Sequence, residues 1–430
     1  MLRRQFVRTL GAGSALGAMG TLGMLSGCAT TGGGNGPKVV IVGGGFGGAT
    51  AAKYVRMWSD YGISVTLVEP NASFISCPMS NLVLGGTKAM ADITSSYDGL
   101  VKKYGVNLVN DSVTHIDADK RVVKLAGGTE LPYDRLILSP GIDFMWEALP
   151  GMAAAGAKDK VLHAWKAGAQ TVALRKQLEA MPDGGVFAIS IPQAPYRCPP
   201  GPYERACQVA SYFQKAKPKS KVLILDGNDD VTSKPALFKK AWTDRYKDII
   251  EYRPKHVVND VDVATNTLKF EFNDDVKANV LNVLPPMRAG EIAVKTGLAT
   301  ANKRWCEVDF LTFESKAAKN IHVLGDSIQI APLMPKSAHM ANQHGKVCAA
   351  AVVALLTGKT PNSSPIYNNT CYSFVSSEDV VHVASVHTYD PEKKTMVTVA
   401  GSGGVSKAAN ELEGRFAMAW AQGIWADTLR

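Results

Sequence analysis

A proline-rich loop carries a cysteine that is well placed for chemistry. Cys198 is followed by two prolines, and Pro202 and Glu204 occupy positions typical of a helix start. A helix N-terminus lowers the pKa of a nearby thiol and so favours the reactive thiolate. Pro202 suits the first helical position, and Glu204 either pairs with the helix dipole or handles the proton of an incoming sulfur nucleophile. The loop therefore predicts a reactive sulfur that the prolines hold in place.

The elements on both sides of this loop resemble a dinucleotide-binding unit. The apolar run 186–191 predicts a buried strand, residues 203–217 a helix, and residues 221–226 the next strand. In such a unit, the turn between the first strand and the helix carries glycines that cradle a phosphate. Here residues 195–202 read PYRCPPGP, so a cysteine stands where those glycines would be. We expect this unit to act as a scaffold.

An intact glycine loop occurs near the start of the chain. The strand-like run 38–42 leads into Gly43, Gly45 and Gly48, spaced as in the pattern G-x-G-x-x-G. Gly43 permits the tight turn, Gly45 lets the backbone approach a pyrophosphate, and Gly48 allows close packing of helix on strand. Glu69 stands at the end of the next predicted strand, where it would accept hydrogen bonds from an adenosine ribose. This context predicts a bound dinucleotide, whose phosphate charge the helix N-terminus stabilises.

Two later segments resemble the remaining parts of an FAD-binding domain. Residues 133–141 resemble the strand and turn that return the chain in two-dinucleotide flavoproteins. Residues 320–326 predict a strand that ends in Gly-Asp, and Asp326 either contacts the flavin ribitol or caps a helix. The three segments together predict FAD as the cofactor, reduced by sulfur chemistry because the second glycine loop for NAD(P)H is missing.

The order of these segments predicts the domain organisation. A length of 430 residues allows two or three domains. The nucleotide-like unit separates the two FAD segments, so the FAD domain is split in sequence. The predicted limits are 1–28 for a signal segment, 36–150 and 291–361 for the FAD domain, 151–290 for the NAD-like domain, and 366–430 for a C-terminal domain.

The other cysteines offer further chemistry. Cys77 lies shortly after Glu69, on a loop that would run along the flavin. Its thiol is a redox partner of the ring, a point of covalent attachment, or a small buried hydrophobe. Cys371 lies far beyond Cys198 along the chain, and the sequence alone does not pair the two. Three others are interpreted as structural: Cys207, Cys306 and Cys348. No CxxC or CxxCH motif occurs, so we expect no metal site and no haem attached to this chain.

The segment 1–28 predicts an export signal. Arg3 and Arg4 open it in the manner of a twin-arginine signal, and the apolar run 11–25 is shorter than the ~20 residues that span a bilayer. The stretch that ends at Cys28 resembles a bacterial lipobox, so Cys28 is either lipidated or an incidental cysteine beside a cleaved signal. We therefore expect a periplasmic protein, with a lipid anchor as one alternative.

The charge of the chain is mildly basic. The net charge is +9, and removal of Arg3, Arg4 and Arg8 with the signal leaves 9 − 3 = +6. This balance favours an acidic partner or surface. No run of lysine and arginine interleaved with aromatic residues occurs, so nucleic acid is not expected as a partner.

Several sequence blocks resemble one family, the flavoprotein subunit of flavocytochrome c sulfide dehydrogenase. The most distinctive is RCPPGPYERA at 197–206, and the others are VGGG at 42–45, HVLGD at 322–326, MPKS at 334–337 and NTCYS at 369–373. The resemblance covers essentially the whole mature chain. It implies an α/β fold similar to glutathione reductase, with two dinucleotide-binding domains and an α+β C-terminal domain at the subunit interface.

The resemblance also implies roles for individual residues. Cys77 would carry FAD through a thioether to the flavin 8α carbon, although Pro78 beside it replaces an aromatic residue of the family. Cys198 and Cys371 would form a redox-active disulfide above the flavin ring. Lys336 falls in the segment that faces the pyrimidine side of the flavin, where positive charge favours the reduced, anionic form.

The reaction implied by the resemblance is the oxidation of sulfide. Hydrosulfide would attack the disulfide and leave a persulfide on one cysteine and a thiolate on the other. The electrons would pass through FAD to a separate c-type cytochrome subunit in a heterodimer. Sulfide:quinone oxidoreductase is one alternative, although the charged Glu411, Glu413 and Arg415 disfavour its membrane-inserting tail. The auxiliary flavoprotein of the thiosulfate-oxidising Sox system is another.

Overall fold

Strands, glycine turns and helices alternate along residues 36–430, which are the residues that the computed structural model describes. The predicted signal segment, with Arg3, Arg4 and Cys28, lies outside the described residues. The helices are α1 (Phe46–Trp58), α2 (Ser80–Gly85), α3 (Asp98–Tyr104), α4 (Ala157–Lys160), α5 (Ala169–Ala180), α6 (Gly201–Ala216), α7 (Pro235–Arg245), α8 (Glu291–Lys295), α9 (Ala338–Leu356) and α10 (Glu411–Leu429).

The strands form separate sheets for the different parts of the chain. They are β1 (Lys38–Val42), β2 (Ser64–Val68), β3 (Phe74–Ile75), β4 (Thr94–Ser95), β5 (Asn107–Val109), β6 (Val113–Asp117), β7 (Val122–Leu125), β8 (Glu130–Pro132), β9 (Arg135–Leu138), β10 (Ile142–Phe144), β11 (Val186–Ile191), β12 (Lys221–Asp226), β13 (Ile250–Arg253), β14 (Val258–Asp262), β15 (Thr267–Phe270), β16 (Val276–Lys277), β17 (Val280–Val283), β18 (Met287–Ala289), β19 (Ile321–Val323), β20 (Ile366–Phe374), β21 (Val380–Asp390) and β22 (Thr395–Val405).

The first large sheet is parallel and has the order β19-β9-β1-β2-β5. The central strand β1 is buried from Val39 to Val42, as expected for a strand covered on both faces. β19 comes late in the chain but pairs with β9, with Ile321 opposite Leu136. Strands from both sides of the inserted segment therefore build one sheet. Its carboxyl edge, where ligands bind in this kind of sheet, presents the glycine loop after β1.

The second parallel sheet has the order β13-β12-β11-β17. The loop after β11 leads into α6, which begins at Gly201, two residues earlier than predicted. The reason is a tight turn, in which Gly201 N donates to Cys198 O at 2.9 Å and Glu204 N donates to Pro200 O at 3.1 Å. Pro202 is therefore the second helical residue rather than the first, and Glu204 remains in the first turn.

The C-terminal residues form the antiparallel sheet β20-β21-β22, followed by α10. The end of α10 packs against α1 of the FAD domain, where Lys53 Nζ donates to Asp427 O at 2.8 Å and to Arg430 O at 2.7 Å. Trp425 Nε1 also donates to Ser76 Oγ at 2.9 Å, which ties α10 to the loop that carries Cys77. Within residues 36–430, no helix is both long enough and apolar enough to cross a membrane.

Candidate active site

One large cavity connects the glycine loop with three cysteines. Its empty space is about 1310 Å³, part of it open to solvent. The predicted site residues that line it are Gly45, Cys77, Cys198, Glu204, Asp326 and Cys371. These residues come from five separate stretches of the chain, and the fold brings them together around one space.

The three glycines of the loop differ in what surrounds them. A Cβ atom on Gly43, where φ is +95°, would overlap the carbonyl oxygen of Ser139, and a Cβ on Gly48 would overlap the carbonyl oxygen of Gly43. A Cβ on Gly45 would meet nothing within 4 Å. The loop is thus closely packed at the turn and at the helix–strand contact, and open at the position where a pyrophosphate would approach. This pattern fits the dinucleotide part of FAD.

Glu69 holds the glycine loop in place. Its Oε2 accepts a hydrogen bond from Gly44 N at 2.7 Å, and its Oε1 accepts from Asn71 N at 2.9 Å. Tyr97, which the sequence interpretation did not single out, donates from its hydroxyl to Gly44 O at 3.0 Å. The carboxylate is buried and does not line the cavity. Its contact with a ribose stays a prediction.

Asp326 stands at the far end of the same cofactor space. It follows β19 and Gly325, whose φ of +71° turns the chain toward the cavity. Burial raises the pKa of the Asp326 carboxyl, and the positive charges of Arg197 and Lys336 oppose that shift. An acid at this position fits the hydroxyl groups of a ribitol chain, which can donate hydrogen bonds to it.

Lys336 lies differently from the expectation. Its segment reaches the cavity through Ser337, but its own ammonium is buried and is not part of the lining. Lys336 Nζ donates to Asp326 O at 2.9 Å and to Ile328 O at 2.6 Å, and it lies 3.5 Å from the centre of the Trp305 ring. These contacts draw the ammonium away from the cavity, and burial lowers its pKa to about 7.

Cys198 occupies a strained position at the cavity wall. Its φ is +59°, a left-handed conformation that is uncommon outside glycine and is often found at functional sites. Cys198 N donates to Lys336 O at 2.8 Å, which anchors the loop. Burial, then the sulfur of Cys371 and the carboxylate of Glu204, raise the pKa of the Cys198 thiol well above its usual range, while Arg197 opposes them.

The expected low pKa of Cys198 is therefore wrong for this structure. The sequence shows a helix N-terminus next to the cysteine, which would favour the thiolate. It does not show how strongly the surrounding protein desolvates the half-buried thiol, or that Cys371, from a distant part of the chain, stands near it together with Glu204. Desolvation and these acidic neighbours disfavour the thiolate.

Cys371 reaches the same cavity from β20. Asn369 Nδ2 lies 3.3 Å from its sulfur, and Asn369 Oδ1 accepts from Ser337 Oγ at 2.6 Å. Both Cys198 and Cys371 are free thiols in this structure, so the disulfide implied by the resemblance is not formed in it. The fold nevertheless places both sulfurs at one cavity.

Cys77 is linked to the Cys198 loop through Arg197. Arg197 Nη2 donates to Cys77 Sγ at 3.5 Å and also to the carbonyl oxygen of Trp165. The Cys77 thiol is free and lines the cavity. The guanidinium therefore stands beside the candidate attachment cysteine, one residue from the candidate redox cysteine.

Glu204 anchors the C-terminal sheet. Its Oε1 accepts from Phe374 N at 2.9 Å, and its Oε2 accepts from Asn81 Nδ2 at 2.8 Å. Burial raises the pKa of the Glu204 carboxyl, and these two hydrogen bonds oppose the shift. Through its hydrogen bond with Phe374 N, Glu204 joins α6 to the strand that carries Cys371. Neither the helix-dipole interpretation nor the base interpretation includes this structural role.

The second nucleotide-like site is filled by the protein itself. Asp226 ends β12, where an acid would contact a ribose, but the residue is completely buried. Its Oδ2 accepts from the hydroxyls of Tyr203 at 2.7 Å and Tyr252 at 3.1 Å, and its Oδ1 accepts from Asn228 N at 3.0 Å. An incoming ribose would have to displace these partners.

Several residues at the site were given no role from the sequence. Arg197 and Asn81 lie next to the predicted cysteines, so their neighbours could have drawn attention to them. Lys234 carries no such signal, because it stands in a loop well beyond Cys198 and outside every block that was singled out. The three structural cysteines, Cys207, Cys306 and Cys348, are fully buried away from the cavity.

Comparisons with known families agree with this architecture. The model "Sulfide dehydrogenase [flavocytochrome c] flavoprotein chain, central" matches residues 171–285, and "Flavocytochrome c sulphide dehydrogenase, flavin-binding" matches residues 363–429. The model "Pyridine nucleotide-disulphide oxidoreductase" matches residues 37–189. The flavoprotein chain of sulfide dehydrogenase [flavocytochrome c] from Chlorobaculum thiosulfatiphilum is 63% identical over 46 residues, which are 11% of this chain and 94% of that one. The chain belongs to this flavoprotein family.

Members of a neighbouring group are also similar to it. Mitochondrial sulfide:quinone oxidoreductase from Mus musculus is 26% identical over 322 residues, covering 72% of this chain and 69% of that one. The protein of the same name from Dictyostelium discoideum is 24% identical, and the chain spans 65% of its length. The solved structure of sulfide:quinone oxidoreductase from Aquifex aeolicus has a TM-score of 0.71 at 18% identity and covers 91% of each chain. The predicted α/β fold class is confirmed.

Proposed function

We propose that this chain oxidises sulfide with FAD, and that Cys198 and Cys371 receive the electrons from the sulfur substrate. The observation that carries the proposal is the convergence of Cys77, Cys198 and Cys371 on one cavity that begins at the glycine loop. Membership of the flavoprotein family supports the same conclusion. A thiol pair at a flavin site is the arrangement that sulfur exchange chemistry requires.

FAD fits the residues of the cavity. Gly45 leaves open space for the pyrophosphate, the N-terminus of α1 favours its negative charge, and Asp326 stands where the ribitol would pass. The N-terminus of α9, capped by Ser337, reaches the cavity beside the cysteines. When bound, the flavin accepts an electron pair and passes electrons on one at a time.

The cysteine pair carries out the sulfur step. In the oxidised protein, hydrosulfide attacks the bond between Cys198 and Cys371. The sulfur–sulfur bond between the cysteines breaks, a new bond to the incoming sulfur forms on one cysteine, and the other leaves as a thiolate. In this proposal, the prolines beside Cys198 and the contacts of β20 hold both cysteines at the same cavity. Cys77 would hold FAD covalently, and Arg197 Nη2 lies 3.5 Å from its sulfur.

The electron acceptor in this proposal is a separate c-type cytochrome subunit in a heterodimer. The sequence has no CxxCH motif, so the haem has to come from another chain. The proposal places the complex in the periplasm, exported by the twin-arginine signal, with Cys28 as the candidate site of lipid anchoring. A haem absorption band in the purified native complex is the expected result. Export that does not depend on the arginine pair would contradict the twin-arginine route, and recovery of the protein in the cytoplasmic fraction alone would contradict the location.

The proposal is tested by sulfide-dependent reduction of cytochrome c. The wild-type protein reduces cytochrome c when sulfide is added, and Cys198→Ser lowers the rate to background because the disulfide cannot form. Cys207→Ala, which changes a buried cysteine on α6 away from the cavity, is the matched control and keeps the activity. Full activity of Cys198→Ser would refute the mechanism.

A second candidate is the reduction of quinone. The 26% identity to the mouse sulfide:quinone oxidoreductase over 72% of this chain favours it. The same protein preparation should therefore be assayed with a soluble quinone in place of cytochrome c. Faster sulfide-dependent reduction of quinone than of cytochrome c would favour this alternative.

A further inference from the structure

A buried lysine forms hydrogen bonds with the strand that carries Cys371. Lys234 precedes α7 and is only 5% exposed. Its Nζ donates to the carbonyl oxygen of Cys371 at 3.0 Å and to Ser373 Oγ at 2.9 Å. Lysine is rarely buried in this way without a partner, because removing an ammonium from water is costly. The position of this ammonium therefore needs a reason beyond packing.

The backbone of Lys234 is also unusual. Its φ is +55°, in the left-handed region that non-glycine residues seldom adopt. The residue thus combines backbone strain with a buried charge, and both are found more often at functional sites than elsewhere. The same α7 carries exposed lysines such as Lys239, which pairs with Asp230 at the surface. A solvated position for a lysine is therefore available one turn further along the helix.

The charged groups around this lysine come from several elements. Glu204 on α6 accepts a hydrogen bond from Phe374 N, and Lys234 donates one to Cys371 O. Two charged side chains of the NAD-like unit therefore bind nearby residues of β20. Burial lowers the pKa of Lys234 to about 8, and the negative groups Cys371, Glu204, Cys198 and Glu413 oppose this shift. His339 Nδ1 on α9 accepts a hydrogen bond from Thr370 N at 3.0 Å. Ser337, the N-cap of α9, donates a hydrogen bond from Oγ to Asn369 Oδ1.

The two sulfurs of the pair have different surroundings. Beside Cys371 stand the ammonium of Lys234 and the amide of Asn369, both of which favour a negative sulfur. Glu204 disfavours a negative charge on both sulfurs, but it is the last-ranked influence on Cys371, whereas at Cys198 it acts more strongly than Arg197, which favours the negative sulfur. Burial raises the pKa of Cys371, but Lys234 is the largest influence that holds it down. In the reduced pair, a negative charge is therefore more stable on the sulfur of Cys371 than on the sulfur of Cys198.

We propose that Lys234 is a positioning residue for the cysteine pair, which fixes Cys371 at the cavity and stabilises negative charge on its sulfur once the pair is reduced. This role deepens the proposed function and rests on it. Reduction of the disulfide by an added dithiol breaks the sulfur–sulfur bond, places two electrons and two protons on the pair, and oxidises the dithiol to its own disulfide. The first proton to dissociate then leaves from Cys371.

The inference is tested by alkylation of the thiols over a range of pH. The purified protein with its cofactor is reduced with dithiothreitol, separated from the reagent and treated with iodoacetamide, which reacts with thiolates. Peptide mass spectrometry gives the rate at each cysteine separately. In the wild type, Cys371 should react at lower pH than Cys198. In Lys234→Met, the midpoint for Cys371 should rise by about one unit, which makes alkylation about tenfold slower below the midpoint.

Two variants separate charge from packing. Lys234→Arg keeps the positive charge and should leave the Cys371 midpoint near the wild-type value. Lys239→Met removes an exposed lysine of the same helix and should change neither cysteine. An unchanged Cys371 midpoint in folded Lys234→Met, or an equal rise in Lys234→Arg, would overturn the proposal.

The wild type also provides a test that needs no variant. If Lys234→Met does not fold, the order of the two cysteines still decides, and alkylation of Cys198 before Cys371 would refute the inference. Sulfide-dependent reduction is measured on the same wild-type preparation. Absence of that activity would remove the proposed function, while the change in the Cys371 midpoint between the wild type and Lys234→Met would still show whether the lysine stabilises the Cys371 sulfur.

Discussion

Substitution of single glycines distinguishes cofactor binding from folding in the first loop. Gly45 has φ −70° and ψ −169°, a conformation open to alanine, and a Cβ there would meet nothing within 4 Å. A Cβ at Gly48 would overlap the carbonyl oxygen of Gly43, well inside the 3.4 Å at which ordinary van der Waals contact begins. The two positions lie three residues apart but have opposite surroundings.

The expected magnitudes follow from this difference. Gly45→Ala meets no protein atom within 4 Å and restricts the unfolded chain, a gain of about 0.4–1 kcal/mol, but alanine is a poorer N-cap for α1 than glycine, so the free energy of unfolding without cofactor should change little. Gly48→Ala forces the backbone apart, and overpacking of this kind costs about 1–3 kcal/mol. For flavin binding the order of the two variants is reversed: Gly45→Ala should lose more affinity than Gly48→Ala, because its methyl group occupies the space of the pyrophosphate. A tenfold weaker affinity corresponds to about 1.4 kcal/mol.

The assay combines two measurements on each purified variant, made in a Cys77→Ser background from which flavin can be removed. The ratio of flavin absorbance to protein gives cofactor content, and thermal unfolding of the flavin-free protein gives stability. Gly45→Ala should keep its unfolding temperature and lose flavin, whereas Gly48→Ala should unfold at a lower temperature. A wild-type flavin content in Gly45→Ala would refute the placement of the pyrophosphate at this glycine.

Two further predictions concern the cofactor and its reductant. If FAD is attached through Cys77, acid-precipitated wild-type protein should stay yellow and Cys77→Ser should release its flavin, whereas complete release from the wild type would exclude attachment. NADH should leave the flavin oxidised, because Asp226 is fully buried against Tyr203 and Tyr252 where a ribose would bind. Bleaching of the flavin by NADH would show that this site opens.

The elements that depend on local pattern could be predicted well from the sequence. The strands 38–42, 186–191 and 221–226 have the predicted limits, because each is a continuous apolar run that is buried on both faces. The roles of Gly43 and Gly48 also follow from local geometry, since the motif fixes which neighbour each glycine approaches. α6 begins two residues before the predicted start, because the hydrogen-bonded turn after Cys198 leads directly into the helix.

The properties that depend on distant residues could not be predicted in this way. The pKa of Cys198 is set by burial and by Cys371, which lies far from it along the chain. Lys336 has its ammonium against Trp305 and two carbonyl groups, and nothing in its own sequence block indicates that direction. Lys234 shows the same limit, since its partner is a carbonyl group on a strand of another sheet.

The missing glycine loop of the NAD-like unit has a structural counterpart in this arrangement. The turn that would cradle a phosphate instead presents Cys198. Asp226, the acid that would bind a ribose, accepts hydrogen bonds from within the protein. The two charged side chains of the unit that point toward β20, Glu204 and Lys234, hold the strand at Phe374 and Cys371. The unit thus supplies one sulfur directly and fixes the position of the other. Because each sulfur is held by an element with its own buried contacts, we expect both cysteines to stay at the cavity when the proposed bond between them breaks and re-forms.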